Sequence, residues 1–434
     1  MANGRRILVC GLGKSGTASV RLARHLGLDV VALDTRTSEA MGTEAAALEA
    51  LGAEVRLGTT EIPEGEFDQA VVSPGLPPDH PLLATLRARG IPLESEVDFG
   101  WRHRPAGTRT LALTGSNGKT SLVKALAELL DAPGAPAVAC GNYGLPVAEA
   151  VLQSPPPGWL VIELSSFQLE TTRALHPDIA ILLNLLPNHL DRHGTMEEYM
   201  RLKSRLFANQ TPADTAIFPA DARELSCLAP SLPPAPKGPK VRMFSNELPL
   251  PIPGSYFDNP VLRPAAGALF LAAEAAGRTP EEAQQALLAF KPLPHRNALV
   301  REWRGVRLVD DSKATNLAAL IAGLRMQPPD SRIRLIAGGR PKETDFSAAL
   351  PELKARVASC HLIGEAAPAF QTAWADTVPC TLCGDLDTAF AQAVAAAQPG
   401  ETILLAPACT AFDQFASYAV RGDHFASLAQ SLPA

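Results

Sequence analysis

Short runs of consecutive apolar residues, rich in Val, Ile and Leu, alternate along this chain with Ala-, Leu-, Glu- and Arg-rich stretches whose apolar positions recur at helical spacing. Runs this short, bounded by turn residues, read as strands buried on both faces. The stretches between them read as the crossover helices that parallel strands need. The first block has candidate strands at 6–10, 30–34, 55–57, 69–73 and 91–94. The second opens with a strand at 110–114 and continues through 160–163, 179–184 and 215–218. It closes on proline-rich loops at 229–240 and 248–254 and a helix near 265–276. The third follows 291–295, with strands at 306–310, 334–337, 361–364 and 402–406. The predicted fold class is α/β, three domains each built on a mostly parallel sheet with helices. These are a Rossmann-like domain at 1–96, a P-loop ATPase-like domain at 97–297 and a second Rossmann-like domain at 298–434.

Length agrees with that division: 434 residues allow about three domains at roughly 150 residues each. A hydrophobic fraction of 46% is enough for several cores, and a net charge of −6 gives no basic footprint for nucleic acid. No apolar run approaches the ~20 residues that would span a bilayer, so no membrane association is expected. The apolar run that follows the basic start is too short for a signal peptide's core and reads as a first strand followed by a glycine turn. Seven scattered cysteines fit reduced thiols in a cytoplasmic protein. Cys380 and Cys383 form a lone CxxC without a second pair, and the thiol reading is preferred there over a metal site.

Chemistry enters at Thr114-Gly-Ser-Asn-Gly-Lys-Thr-Ser121, which joins an apolar strand to the helical stretch 122–130. Gly115 and Gly118 let backbone N–H groups of the loop, Asn117 among them, turn toward phosphate oxygens, and the helix start at Ser121 adds partial positive charge. Lys119 neutralises a transferring phosphoryl group and Thr120 reaches Mg²⁺. The common GxxxxGK[ST] loop would place glycine where this chain has Leu113, so the motif is the shorter GxxGK[ST].

A second glycine turn, Gly11-Leu-Gly-Lys-Ser-Gly16, follows the first strand, and Asp34 closes the second strand at dinucleotide-fingerprint distance. Lys14 and Ser15 inside the turn suit any diphosphate, so the signal does not single out nicotinamide. Ser73-Pro-Gly75, at another strand end, is a companion loop. In the middle block Glu163 ends an apolar strand, where a Mg²⁺ ligand is expected. His189 and Asp191 follow a third strand and face the same sheet edge. Lys203, in the helical segment 196–209, reads by itself as a solvated lysine paired with Glu197 or Glu198.

The order of motifs resembles the Mur ligase family along the whole chain. TGSNGKTS (114–121), GNYGLP (141–146), ELSSFQLE (163–170), NHLDRHG (188–194), MEEYMRLKSRLF (196–207), LPHR (293–296), DDSKATN (310–316), AGGRPKETDFS (337–347) and APACTAFDQF (406–415) stand in family order. SSFQL and PACxxFDQF are similar to the member that adds D-glutamate. The resemblance implies ATP-dependent addition of D-glutamate to UDP-N-acetylmuramoyl-L-alanine through an acyl phosphate, in cytoplasmic peptidoglycan precursor synthesis by a monomer. It assigns the UDP part of the substrate to Lys14, Ser15, Gly16, Asp34, Thr35, Arg36, Ser73 and Gly75. Asn142, Ser165 and His189 would line the muramoyl-alanine path. It further implies two Mg²⁺ ions, with Lys119, Thr120, Glu163 and His189 serving ATP and metal and Lys203 carried as a carbamate. Arg296 and Asp311 would contact ATP. Thr315, Lys342, Phe412 and Tyr418 would hold D-glutamate, with Lys313 nearby.

Three positions depart from the family pattern. Val261–Ala265 stands where relatives carry His-Asn-x-x-Asn, Ala411 replaces a serine, and Leu186 replaces a Ser or Thr. Rival expectations are a sister Mur ligase or folate polyglutamating enzyme, a nucleotide-dependent regulator without turnover, and an NAD-linked oxidoreductase built on the first loop. The two glycine loops together favour a UDP-linked substrate.

Overall fold

A computed structural model describes residues 5–77, 79–186, 190–220 and 237–433, the side chains of 190 and 191 excepted. Three sheets carry the chain. The first has β1 (Arg6–Cys10), β2 (Asp29–Asp34), β3 (Glu54–Leu57), β4 (Gln69–Val72) and β5 (Leu93–Ser95) in the order β3-β2-β1-β4-β5. The second has β6 (Arg109–Thr114), β7 (Ala137–Gly141), β8 (Trp159–Glu163), β9 (Ile179–Leu182), β10 (Thr215–Pro219) and β11 (Lys240–Phe244), ordered β11-β10-β9-β6-β8-β7. All pairings in both are parallel.

The third sheet has β12 (Ala298–Trp303), β13 (Val306–Asp310), β14 (Ile333–Gly338), β15 (Val357–Ile363), β16 (Cys380–Gly384) and β17 (Thr402–Leu405), ordered β12-β13-β17-β14-β15-β16. Only the edge pair β12–β13 is antiparallel there. The sheets fall into two compact units. Met1–Ile252 with Pro264–Leu288 holds the first two, and Pro253–Arg263 with Ala289–Ala434 holds the third.

Central strands are legible because they are apolar throughout: β8 is buried at all five positions and β9 at all four. Four strands escaped the pattern, and each has a reason. β7 is only half-buried, β11 is an exposed edge, β12 is an antiparallel edge of mixed polarity, and β16 alternates irregularly. β11 begins at Lys240, the last residue of a stretch read as loop; 229–236 lie outside the described residues. Cys380 and Cys383 both sit on β16, with Cys380 in register with Cys360 of the neighbouring strand. Residues three apart on a strand face opposite sides, which fits free thiols and not a shared ion.

The helix Glu96–Arg102 leads from the first sheet to the second and anchors on backbone. Asp98 accepts from the N–H groups of Arg173, Ala174 and Leu175 (2.6, 3.0 and 2.9 Å), and Glu96 from Ala148 N (2.7 Å). Gly100, on the same helix, meets the helix Val147–Ala150. A Cβ there would lie 2.5 Å from Ala148 N and 2.7 Å from the Val147 carbonyl carbon. Those atoms are backbone and cannot rotate away. Gly100→Ala is therefore expected to cost about 1–3 kcal/mol by overpacking, read as a lower Tm in thermal unfolding. An unchanged Tm would refute this account of the contact.

Candidate active site

The phosphate loop leaves β6, from which the chain crosses to β7 on one side and later passes from β8 to β9 on the other. Ligands of such sheets bind at the carboxyl ends of the strands at this switch point. Gly118 takes φ of 80°, a left-handed conformation natural to glycine, and caps the helix Lys119–Leu130. Lys119 curls over the loop, its Nζ donating to the carbonyls of Gly115 (2.8 Å) and Ser116 (3.0 Å). Thr120 and Ser121 are buried in the first helical turn.

Around this loop the sheet edge delivers two more of the expected residues. Glu163 ends β8 and is 1% exposed. Its Oε1 accepts from Asn142 Nδ2 at 2.6 Å, while its Oε2 is buried with no hydrogen-bond partner among the described residues. An unpartnered buried carboxylate oxygen is costly unless a cation completes it, so the donor set here fits a divalent ion. Among the described residues no group of three or more His, Cys, Asp or Glu forms a metal cluster. His189 lies outside the described residues, as does the side chain of Asp191.

Lys203 corrects the solvated-lysine reading. It is 1% exposed and donates to Thr114 Oγ1 (3.1 Å) and the Gly115 carbonyl (2.9 Å), with its Nζ 4.6 Å from the centre of the Tyr199 ring. Glu198 pairs instead with Arg201. Burial pushes the Lys203 amine well below its usual range; the Lys119 charge adds to this and Glu163 opposes it. The helical spacing was right, but Lys203 shares its buried face with Tyr199 and Leu202.

One contributor, Asn184, had no motif to announce it, and others in the motifs take partners the spacing did not show. Asn184, just past β9, accepts at Oδ1 from Ser116 N (2.8 Å) and Asn117 N (3.0 Å), and its Nδ2 donates to Asn117 O (3.0 Å). Ser116 Oγ donates to the Leu186 carbonyl, accepts from Leu186 N (both 2.8 Å) and lies 3.2 Å from Tyr199 OH. His193 Nε2 lies 2.9 Å from Ser166 Oγ, tying the LDRHG stretch to SSFQL. Ser165 is the N-cap of the short helix Ser166–Leu169, closed by a capping box with Gln168.

In the first sheet a cleft of about 270 Å³ opens at the carboxyl ends of β1, β2 and β4. Asp34, Thr35, Arg36, Ser73 and Gly75 line it with Gly11, Gly13, Thr59, Thr60 and His80. Of the expected residues, Lys14, Ser15 and Gly16 do not line it; Lys14 is exposed. A Cβ on Gly16 would fall 1.8 Å from the Gly11 carbonyl, so this glycine serves the close packing of turn and helix. Burial alone would raise the Asp34 carboxyl. Hydrogen bonds from the Arg36 side chain (2.9 and 2.7 Å), Arg36 N (2.9 Å) and Leu12 N (2.6 Å) outweigh it and lower the pKa to about 2.

The third sheet carries the remaining candidates. Asp311 accepts from Asn297 N (3.0 Å) and is pushed up to about 8, chiefly by burial, against that hydrogen bond and with the help of Asp310. Arg296 gives its carbonyl to Tyr256 OH (3.1 Å). Tyr418 opens the last helix, with Lys313 Nζ 4.0 Å over its ring. Thr315 is half-buried, Lys342 exposed and Phe412 62% exposed, while Ala411 is buried. Unannounced by any motif is Arg421, 1% exposed. It donates to Ser312 Oγ (2.9 Å) and to the carbonyls of Ser312 (2.9 Å) and Cys409 (3.0 Å), binding two of the expected loops together.

Residues 5–95 match the Mur ligase MurD-like N-terminal domain, 113–235 the Mur ligase middle domain and 295–409 the Mur ligase glutamate ligase domain. A UDP-N-acetylmuramoylalanine–D-glutamate ligase of Acidobacterium capsulatum is 37% identical, across 98% of this chain and 96% of its own. The chain belongs to the Mur ligase family. The ligase of the same name from Anaeromyxobacter dehalogenans is also 37% identical, with 98% and 97% of the two chains covered. Among solved structures, a MurF ligase from Thermotoga maritima in complex with ADP aligns at TM-score 0.62 and 17% identity, covering 98% of this chain and 95% of that one. A MurF from Acinetobacter baumannii gives 0.60 at 18% identity, with 98% and 93% covered. At that distance the likeness establishes the fold: three α/β regions of mostly parallel strands.

The Asp34–Arg36 pair yields a pH prediction with a definite sign. A carboxyl held below its unfolded value near ~3.9 contributes stability that is full above that pH and is lost as pH falls toward about 2. In Arg36→Ala the Asp34 carboxyl is expected to titrate higher by NMR. The variant's stability deficit should be present at neutral pH and vanish in acid. An unmoved Asp34 titration would rule out Arg36 as the cause.

Proposed function

We propose that this chain is an ATP-dependent ligase that joins D-glutamate to UDP-N-acetylmuramoylalanine, acting as a cytoplasmic monomer on small-molecule substrates in peptidoglycan precursor synthesis. The observation that carries the reading is the meeting of Lys119, Lys203 and the unpartnered Glu163 carboxylate at one sheet edge. Relatives bearing that activity in their names, 35–37% identical over nearly the whole chain, support the choice of amino acid and acceptor. We read the three sheets as three functional parts: 1–96 for the UDP substrate, 97–297 for ATP and 298–434 for D-glutamate.

In this reading the cleft at Asp34, Thr35, Arg36, Ser73 and Gly75 holds the UDP moiety, while Gly16 packs the glycine turn from which Lys14 and Ser15 start the following helix. Asn142 and Ser165 border the path of the muramoyl-alanine arm. The triphosphate lies over Gly115, Asn117, Gly118 and the helix start, where N–H groups of the first helical turn and the Lys119 ammonium face it, those of Ser116 and Asn117 being held by Asn184. Mg²⁺, held by Thr120, Glu163, His189 and a carbamate on Lys203, would spread the charge of the phosphates. An amine kept neutral by burial is the form that takes up CO₂, since an ammonium has no lone pair to attack with. Arg296 and Asp311 contact the nucleotide, and Thr315, Lys342, Phe412 and Tyr418 hold D-glutamate.

The alanyl carboxylate attacks the γ-phosphorus in line, forming an acyl phosphate and releasing ADP. Lys119 follows the charge as it passes to the leaving oxygen. The neutral amine of D-glutamate then attacks the acyl carbon; the C–N bond forms, the C–O bond to phosphate breaks, and inorganic phosphate and a proton leave. The residues contribute by orientation and by field.

ADP release is expected only with UDP-N-acetylmuramoylalanine and D-glutamate together, and no other amino acid in a panel should substitute. Indifference to every amino acid would sink the ligase reading. Glu163→Gln should lower kcat on the order of 10²-fold or more by removing charge at the phosphates. Lys203→Ala should abolish turnover, with partial return in millimolar formate or acetate. A carbamate ¹³C resonance should appear in the parent given labelled bicarbonate and be absent in Lys203→Ala. Full activity of the alanine variant would refute the carbamate.

A further inference from the structure

Asn184 turns its side-chain oxygen and one amide hydrogen to the phosphate loop. One oxygen takes the N–H groups of two successive residues, Ser116 and Asn117, and the nitrogen returns a bond to the Asn117 carbonyl. Ser116 N is shared with the Asn184 main-chain oxygen at 3.2 Å. The consequence follows from peptide geometry. In a planar trans peptide the N–H and C=O point in opposite directions. Fixing Ser116 N–H on Asn184 therefore aims the Gly115 carbonyl away from it, where Lys119 and Lys203 both donate to that oxygen (2.8 and 2.9 Å). Fixing Asn117 N–H does the same for the Ser116 carbonyl, which takes the second bond from Lys119 (3.0 Å). Gly115 leaves no slack: a Cβ there would lie 3.0 Å from Leu183 Cβ and 3.3 Å from Asn184 N.

We propose that Asn184 is a positioning residue for phosphoryl transfer, setting two peptide planes of the phosphate loop so that their carbonyls seat Lys119 and Lys203. A second consequence concerns the nucleotide. Two N–H groups that a phosphate loop would normally aim at its ligand are already used, so phosphate recognition passes to Gly118, Lys119 and Thr120. These bonds fix the shape of the loop from the protein side. This inference rests on the ATP-dependent reading above.

The test uses the full chain. Binding of MgADP and, separately, of UDP-N-acetylmuramoylalanine is measured by titration calorimetry for the parent, Asn184→Ala and Asn184→Asp. With three hydrogen bonds lost, Asn184→Ala is expected to bind ADP ~10- to 100-fold more weakly. Its affinity for the UDP substrate, which the first sheet holds, should stay within about twofold, the sign of an intact fold. KM for ATP should rise while KM for D-glutamate does not. Parent-like ADP affinity in Asn184→Ala would overturn the proposal, as would an equal loss for both ligands. Should Asn184→Ala fail to fold, Asn184→Asp decides. It keeps the acceptor oxygen but offers the Asn117 carbonyl no donor, and its added charge is screened by salt. A weakening of ADP binding that persists at high salt supports positioning; one that disappears there overturns it. A parent that binds ADP yet releases none with D-glutamate defeats the ligase reading and leaves the role of Asn184 to the same titrations.

Discussion

Two lysine amines converge on one carbonyl oxygen, that of Gly115, and much of the middle sheet is arranged around that meeting. Two cations cannot share a buried acceptor cheaply, and burial resolves the conflict by disfavouring the charge on Lys203. A buried amine whose charge is disfavoured, beside a second lysine and, among the described residues, an unpartnered carboxylate oxygen on the neighbouring strand, is an incomplete electrostatic arrangement. In the proposed reading, phosphates at Lys119 and a divalent ion at Glu163 would complete it.

That arrangement depends on ordinary sheet geometry. β6, β8 and β9 run parallel and adjacent, so the phosphate loop, Glu163 and Asn184 emerge at one edge within a few residues of their strand ends. The helix Met196–Ser204 then lays Tyr199 and Lys203 beneath the loop from the side. No one of these elements makes a site. The register of three strands and one helix does, and Ser116 is the point where loop, strand end and helix meet.

The first sheet repeats the logic in a simpler form. Its strand order also changes direction beside β1, and the cleft opens there between the turn at Gly11 and the Ser73–Gly75 loop. Asp34 is at dinucleotide-fingerprint distance, but in the structure it is held by Arg36 and the Leu12 N–H. It thereby braces the glycine turn and presents Arg36 at the cleft, a better surface for a diphosphate than a bare carboxylate.

By itself the sequence determined the α/β class, the central strands, both glycine loops and the family, because these depend on local pattern: apolar runs, glycine where φ is positive, motifs in fixed order. Edge strands β7, β11, β12 and β16 escaped it, since a half-exposed strand lacks the apolar run that announces a buried one. Only the tertiary structure decided that Lys203 is buried and not solvated, that Asn184 grips the phosphate loop from 67 and 68 residues away, and that Arg421 joins the loops that follow the neighbouring strands β13 and β17. A side chain's burial and partners are set by which distant segments pack against it. Helical spacing told which face Lys203 shares, and the sheet alone settled what that face meets.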